Sequence, residues 1–119
     1  MTDLVACLST GKGTWGNVKR VMDDGKWDNI FFFTNDFGKE NFKIEDKKCE
    51  LIIIDVRKPM GELIDEMKKS LEGKIKGKEI ALNMISGTGK EHMAMIAALN
   101  KLNLKFKLVA LTTDGMKEL

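Results

Sequence analysis

Five short apolar runs, separated by segments with helical spacing, constrain the fold of this chain more than any other feature. Residues at consecutive positions within the runs are apolar, which indicates strands that are buried on both faces, as in a parallel sheet. Because a crossover must join each pair of parallel strands, we expect helices to cover both faces of that sheet. The runs occupy residues 4–9, 29–34, 50–56, 79–85 and 106–111.

The segments between the runs predict helices. A helix of about ten residues follows the first run and ends near Gly25. A second helix has Pro59 in its first turn, and a third covers residues 90–103. Residues 35–48 are polar and weakly patterned, with at most a short helix near residues 39–42.

This alternation predicts one α/β domain over residues 1–119. We expect a Rossmann-like three-layer sandwich with a mainly parallel five-stranded sheet of order 3-2-1-4-5. The 119 residues, of which 43% are hydrophobic, suffice for one buried core. Strands 1 and 4 are neighbours in this order and the winding reverses between them, so a ligand is expected beyond their carboxyl ends.

Charge, hydropathy and cysteine usage argue against several classes of function, namely binding of long nucleic acid, membrane insertion and metal binding. The net charge of +2, with lysines interspersed among acids, predicts no groove for long nucleic acid. The chain has no apolar stretch of ~18 residues and no basic-apolar leader, so we expect a cytoplasmic protein away from membranes. Cys7 and Cys49 lie in strand-like segments without metal-ligand spacing, which predicts two buried free thiols in a reducing compartment. We expect no metal and no bound cofactor.

Two glycine-rich loops follow strands 1 and 4 and supply the candidate ligand-binding residues. Glycines allow backbone amides to approach an anion, and the helix after each loop adds unpaired N–H groups and a positive dipole end. We predict that the two loops face each other across one crevice. The first loop contains Ser9, Thr10, Gly11, Lys12, Gly13 and Thr14, and the second contains Ser86, Gly87, Thr88, Gly89 and Lys90.

Other motifs leave alternatives open. Residues 11–16 match G-x-G-x-x-G, and Asp36 follows at the distance of a ribose-binding acid, so a nicotinamide or flavin dinucleotide is a second candidate ligand. The Gly-Lys of the second loop is no P-loop, because Glu91 stands where a Ser or Thr binds magnesium. Asp55 and Pro59 have the spacing of a receiver domain, but the acids and lysine that a receiver needs are missing. A non-catalytic interaction domain is the third candidate.

The second loop and its flanks resemble the fourth-strand region of CARF domains, the CRISPR-associated Rossmann-fold sensors. In that family an Asn- or Asp-bearing strand runs into a Thr/Ser-Gly-Gly-Thr-Lys-x-Met turn and a helix. This chain departs from the pattern by an inserted glycine at position 89 and by a methionine moved one place further. The matching residues are Asn83, Ser86, Gly87, Thr88, Lys90 and Met93.

The resemblance implies an antiviral sensor that binds a cyclic oligoadenylate across the twofold axis of a homodimer. Some CARF proteins also cleave their ligand, when a ribose 2′-hydroxyl attacks the adjacent phosphate. The resemblance assigns positioning of the ligand to Ser9 or Thr10 and stabilisation of the developing charge to Lys90. His92 is interpreted as a surface residue and Trp15 as a core residue, although either is near enough to a loop to touch a ligand.

Overall fold

A computed structural model describes residues 2–8, 12–42, 44, 49–77 and 79–119, with the backbone alone of Lys12. Strands and helices alternate along the chain, as the sequence predicts. The strands are β1 (Thr2–Cys7), β2 (Trp27–Thr34), β3 (Cys49–Ile53), β4 (Glu79–Asn83), β5 (Lys105–Thr112) and β6 (Gly115–Glu118). The helices are a short 3-10 helix (Lys12–Thr14), α1 (Trp15–Asp24), α2 (Asp36–Asn41), α3 (Met60–Leu71) and α4 (Gly89–Lys101).

The strands form one sheet of order β3-β2-β1-β4-β5-β6. All neighbours from β3 to β5 are parallel, and β6 pairs with β5 in the antiparallel direction. The predicted α/β class and the order of the five parallel strands are therefore confirmed. Together with the helices on both faces, the sheet is consistent with a Rossmann-like sandwich.

The predicted number of five strands is wrong, because a hairpin adds β6. The Thr112 hydroxyl donates to the Gly115 carbonyl at 2.8 Å and accepts from the Asp114 N–H at 3.2 Å. Gly115 has a φ of +98°, which favours glycine, and this allows the chain to reverse. The hydrogen bonds of this turn direct the last residues back along β5.

Helices α1 and α2 lie on one face of the sheet, and α3 and α4 lie on the other. Alternate residues of β1 enter different clusters, since Leu4 packs with Val18 of α1 while Val5 packs with Met67 of α3. Trp15 lies in the α1 cluster, with its ring 5.8 Å from Phe37 and 5.6 Å from Phe42. The interpretation of Trp15 as a core residue is confirmed.

The segment after β2 is more ordered at its start than its weak pattern indicates. Helix α2 begins at Asp36, three residues before the expected position, because the Asn35 side chain accepts a hydrogen bond from the Gly38 N–H at 2.9 Å. Strands β3 and β4 end earlier than predicted, so residues 54–59 and 84–88 are loops. Within the described residues, no helix is long and apolar enough to span a membrane.

Candidate functional site

The topology places the candidate site at the carboxyl ends of β1 and β4. These strands are neighbours in parallel register, with Val5 opposite Leu82 and Ala6 opposite Asn83. The helices change faces between the two strands, so the crossover connections diverge there, and parallel α/β sheets usually bind their ligands at such a point. The loop 84–88 follows β4 at this place.

Gly87 brings the loop 84–88 against the end of β1. Its φ is +101°, and a Cβ built on it would lie 3.1 Å from Cys7 Cβ and 2.6 Å from Glu91 Oε2. The second glycine-rich loop therefore touches the strand from which the first loop leaves. A side chain at position 87 would separate them.

The first loop is described only in part. Ser9, Thr10 and Gly11 lie outside the described residues, as does the Lys12 side chain. The backbone from Lys12 to Thr14 forms the 3-10 helix that leads into α1. The predicted roles of these first-loop residues remain predictions.

The second loop forms the amino terminus of α4. Thr88 is its N-cap, and its hydroxyl accepts a hydrogen bond from the Glu91 N–H at 3.4 Å. The buried Ser86 lies next to His92, whose Nε2 is 2.9 Å from the Ser86 carbonyl. Gly89 opens the first turn of a 13-residue helix, and a Cβ added to this exposed residue would meet no atom within 4 Å.

Lys90 extends away from the second loop towards the loop 54–59. Its Nζ donates to the Lys58 carbonyl at 2.6 Å, and thereby joins the start of α4 to the segment before α3. A lysine has four rotatable side-chain bonds and a flexible reach. An anion bound at the second loop must therefore compete with this carbonyl for the ammonium group.

Asn83, which belongs to the motif shared with CARF domains, has a structural role here. The residue is 1% exposed, and its Nδ2 donates to the Val109 carbonyl of β5 at 2.9 Å. Its Oδ1 accepts from the Ile85 N–H at 3.4 Å. The amide therefore ties the end of β4 to β5 and shapes the first residues of the second loop.

Glu91 is the main site residue that the sequence analysis missed. The residue is only 7% exposed, and its Oε1 lies 3.5 Å from the Thr88 hydroxyl. Its carboxylate also accepts a hydrogen bond from the Cys7 thiol. Thr88 and Glu91 have the spacing of a capping box, which is the one sequence signal that marks this glutamate.

Cys7 is not an activated nucleophile. The thiol is fully buried, with its Sγ 3.4 Å from Met95 Sδ. Burial is the main cause that raises the pKa of Cys7 well above its usual value, and the charge and hydrogen bond of Glu91 raise it further. Since a thiolate is the reactive form, this environment keeps Cys7 inert.

The raised pKa of Cys7 predicts an alkaline loss of stability. The unfolded thiol ionises near its ordinary pKa, whereas the folded thiol stays protonated. The contribution of the protonated Cys7 thiol to stability is complete below the pKa of the unfolded state and is lost as pH rises through the pKa of the folded state. In a Cys49→Ala background, we expect Cys7→Ala to lower the free energy of unfolding less at pH 10 than at pH 7. Urea unfolding at the two pH values measures this difference. A deficit that is the same at both pH values would contradict this prediction.

Two buried polar atoms at the start of α1 lack partners. Thr14 Oγ1 and Asn17 Oδ1 are enclosed, and neither has a hydrogen-bond partner among the described residues. Thr14 and Asn17 are three residues apart, so they share one side of the first helical turn. Asn17 was not a predicted site residue. Enclosed acceptors of this kind are usually satisfied, and because both atoms are enclosed, a ligand could not reach them in this arrangement.

The dinucleotide and receiver hypotheses gain no support from the geometry. A Cβ at Gly16 would meet nothing within 4 Å, whereas the third glycine of a dinucleotide fingerprint allows close packing of helix on strand. Asp36 is exposed in α2. Asp55 pairs with Arg57 at 3.1 Å, and the side-chain hydrogen bond from Arg57 is the main cause that lowers the pKa of Asp55.

The described residues contain no group of three or more histidine, cysteine or acidic side chains that could hold a metal ion. What they do contain is the amino terminus of α4, with its backbone amides and the Thr88 hydroxyl, next to the carboxyl ends of β1 and β4. Comparison with known proteins adds no family to this geometry: no protein-family model matches the chain, and no curated protein gives a significant match.

Proposed function

We propose that this protein is a CARF-like domain that binds a cyclic oligoadenylate at the carboxyl ends of β1 and β4. The observation that supports this most is the contact of Gly87 with the end of β1. This contact brings the second loop to the strand from which the first loop leaves, as binding of one ligand by both loops requires.

The chemistry at the start of α4 suits a phosphate-bearing nucleotide. The amides at the start of α4 and the positive end of its dipole attract anions. Lys90 follows in the same helical turn and adds a cation once its ammonium group leaves the Lys58 carbonyl.

A homodimer is part of the proposal. Ile85 and Met93 flank the second loop and are large apolar residues with exposed fractions of 48% and 63%. A twofold axis next to this loop would bury both side chains and would place two copies of the loop against one ring. Exposed apolar side chains at such a position favour an interface over open solvent.

The same site allows slow cleavage of the ring. In this reaction a ribose 2′-hydroxyl loses its proton to water and attacks the adjacent phosphate. The bond from phosphorus to the 5′-oxygen of the next nucleotide breaks, that oxygen takes up a proton from water, and a 2′,3′-cyclic phosphate remains. Ser9 or Thr10 positions the ligand, and Lys90 stabilises the negative charge on the phosphoryl oxygens. Before Lys90 can reach the phosphoryl oxygens, its ammonium group must leave the Lys58 carbonyl. The protein is therefore proposed as a sensor or a ring nuclease for antiviral signalling.

Thermal unfolding with cyclic tetra- and hexa-adenylate tests the proposal. A ring at about 100 times its dissociation constant adds roughly 2.7 kcal/mol of stability, which raises the melting temperature by roughly 10 °C in a domain of this size. NAD, FAD and linear oligoadenylate serve as comparison ligands. A shift with a dinucleotide alone, or with none of these ligands, would contradict ring binding.

Replacing Lys90 by alanine should weaken ring binding by about tenfold to a hundredfold, since a hydrogen bond between charged groups is lost. Lys101→Ala is the matched control, because this exposed lysine lies at the opposite end of the same helix. Calorimetric titration of both variants measures the effect. Equal affinities for the two variants would remove Lys90 from the site.

A further inference from the structure

A cavity of about 300 Å³ lies at the amino ends of the strands, at the opposite end of the sheet from the proposed ligand site. Thr2, Trp27 and Glu79, which begin β1, β2 and β4, line this cavity together with residues of β5 and β6. Its volume is at the lower end of the range for small-molecule sites, roughly 300–1,000 Å³. The cavity therefore suits a ligand much smaller than a cyclic oligonucleotide.

The floor of the cavity is apolar. Ala81 and Val109 are 3% and 7% exposed and belong to the core cluster on the α1 face of the sheet. Met116 and Trp27 are partly buried and pack against the same cluster. The Trp27 indole is fixed by its Nε1, which donates to the Val21 carbonyl at 3.1 Å. These side chains present an apolar surface with an aromatic ring to the non-polar part of a ligand.

Charged side chains of both signs line the same cavity. Lys107 Nζ lies 3.2 Å from Glu79 Oε1 and 3.7 Å from Glu118 Oε1, and Lys117 is a second cation. Among the described residues of the lining, two cations thus balance two carboxylates. The side chains of Glu79, Lys107 and Glu118 are 43%, 49% and 57% exposed, and ion pairs with such exposure are weak. Each charged group can therefore exchange its partner for a ligand group of opposite charge.

The balance of charges determines the class of ligand. A phosphate or a fatty acid would bring negative charge to a lining with two carboxylates, and a polyamine would bring positive charge to a lining with two ammonium groups. A ligand with one ammonium group, one carboxylate and an apolar body matches all parts of the lining, because each of its charges meets an opposite charge beside the apolar floor. A free amino acid with an apolar side chain has this composition.

We propose that this cavity binds a free amino acid with a large apolar side chain, such as leucine, methionine or phenylalanine. The side chain of the ligand lies on the apolar floor, beside the Trp27 indole. The ammonium group of the ligand pairs with Glu79 or Glu118. Its carboxylate pairs with Lys107 or Lys117. The site is independent of ring binding, since it lies at the other ends of the strands.

Titration with free amino acids, measured by tryptophan fluorescence and by thermal unfolding, tests the proposal. The chain has two tryptophans, so the emission of a Trp15→Phe variant comes from Trp27 alone. Leucine, methionine and phenylalanine should each change this emission and raise the melting temperature. Two analogues of leucine serve as matched ligands, since isocaproate lacks the ammonium group and isoamylamine lacks the carboxylate. Each analogue should bind at least about tenfold more weakly, the usual loss for a hydrogen bond between charged groups.

Replacing Lys107 by glutamine tests the location of the site. The variant removes a cation from the lining and should bind leucine about tenfold more weakly. Lys74→Gln is the matched control, because it breaks an ion pair with Glu50 that is exposed to a similar degree and lies away from the cavity. The affinity of this control for leucine should equal that of the wild type. Circular dichroism establishes that both variants are folded.

Each contrary result overturns a stated part of the proposal. If leucine, methionine and phenylalanine leave both the Trp27 emission and the melting temperature unchanged at millimolar concentrations, the cavity is not an amino-acid site. Equal affinities for leucine and its two analogues would show that the charges of the lining do not select the ligand. A Lys107→Gln variant that binds leucine as tightly as Lys74→Gln would place the ligand elsewhere. None of these results bears on ring binding.

Discussion

Replacing Gly87 by valine is expected to destabilise the protein by about 3 kcal/mol and to abolish ring binding. A positive φ costs an L-residue roughly 1–2 kcal/mol, and overlap in a packed site costs about 1–3 kcal/mol more. The new Cβ would lie 2.6 Å from Glu91 Oε2 and 3.1 Å from Cys7 Cβ. The second loop must therefore move away from the end of β1, and the two loops no longer lie together.

Gly89→Ala is the matched control for this variant. A Cβ at position 89 would meet nothing within 4 Å, and alanine in the first turn of a helix reduces the entropy of the unfolded chain. We expect its stability to be equal to the wild type or higher by up to about 1 kcal/mol. Urea unfolding measures both variants. A Gly87→Val protein as stable as the wild type would show that the described packing of this turn is wrong.

Replacing Asn83 by aspartate should destabilise the protein by about 2–4 kcal/mol at pH 7, because a carboxylate cannot donate to the Val109 carbonyl and is buried without a cation. Only the protonated acid can make that bond, so the pKa of the introduced carboxyl is raised in the folded protein. Stability from such a group is complete below its unfolded pKa and is lost as pH rises through the folded pKa. The deficit should therefore be smallest near pH 4 and grow towards pH 7.

Asn100→Asp provides the control, since residue 100 is exposed on α4. At pH 7, Asn100→Asp should lower the free energy of unfolding by less than about 1 kcal/mol, which is the usual cost of a negative charge near the carboxyl end of a helix. Urea unfolding of both variants at several pH values gives the comparison. A deficit of Asn83→Asp that does not change with pH would mean that the carboxyl does not face Val109.

The sheet was predictable from the sequence because its strands correspond to continuous apolar runs, and all of these runs indicate the same kind of buried strand. Continuous apolar runs indicated the parallel strands, and the crossover rules left few orders for them. Strand β6 was not predictable in the same way, because its four residues contain one large apolar side chain, Met116. Its formation depends on the hydrogen bonds of the Thr112 hydroxyl, which a pattern of hydropathy does not record.

The site was predictable only in outline. Glycines after two neighbouring strands indicated where the loops lie, and the structure brings Gly87 to the end of β1. The burial of Glu91 was not predictable, because a charged residue at the third position of a helix normally faces solvent. It is buried because the end of β1 places Cys7 against that turn, a contact between residues 84 positions apart. The direction of Lys90 likewise depends on a distant carbonyl, that of Lys58.

The central position of β1 in the sheet has a consequence for folding during synthesis. Both edges of this strand are paired, with Val5 opposite Phe31 on one side and opposite Leu82 on the other. The first partner is made soon after β1, but the second leaves the ribosome only after most of the chain has been synthesised. Until then the nascent protein presents an open, apolar strand edge, which is the kind of surface that chaperones cover and that aggregates when they do not.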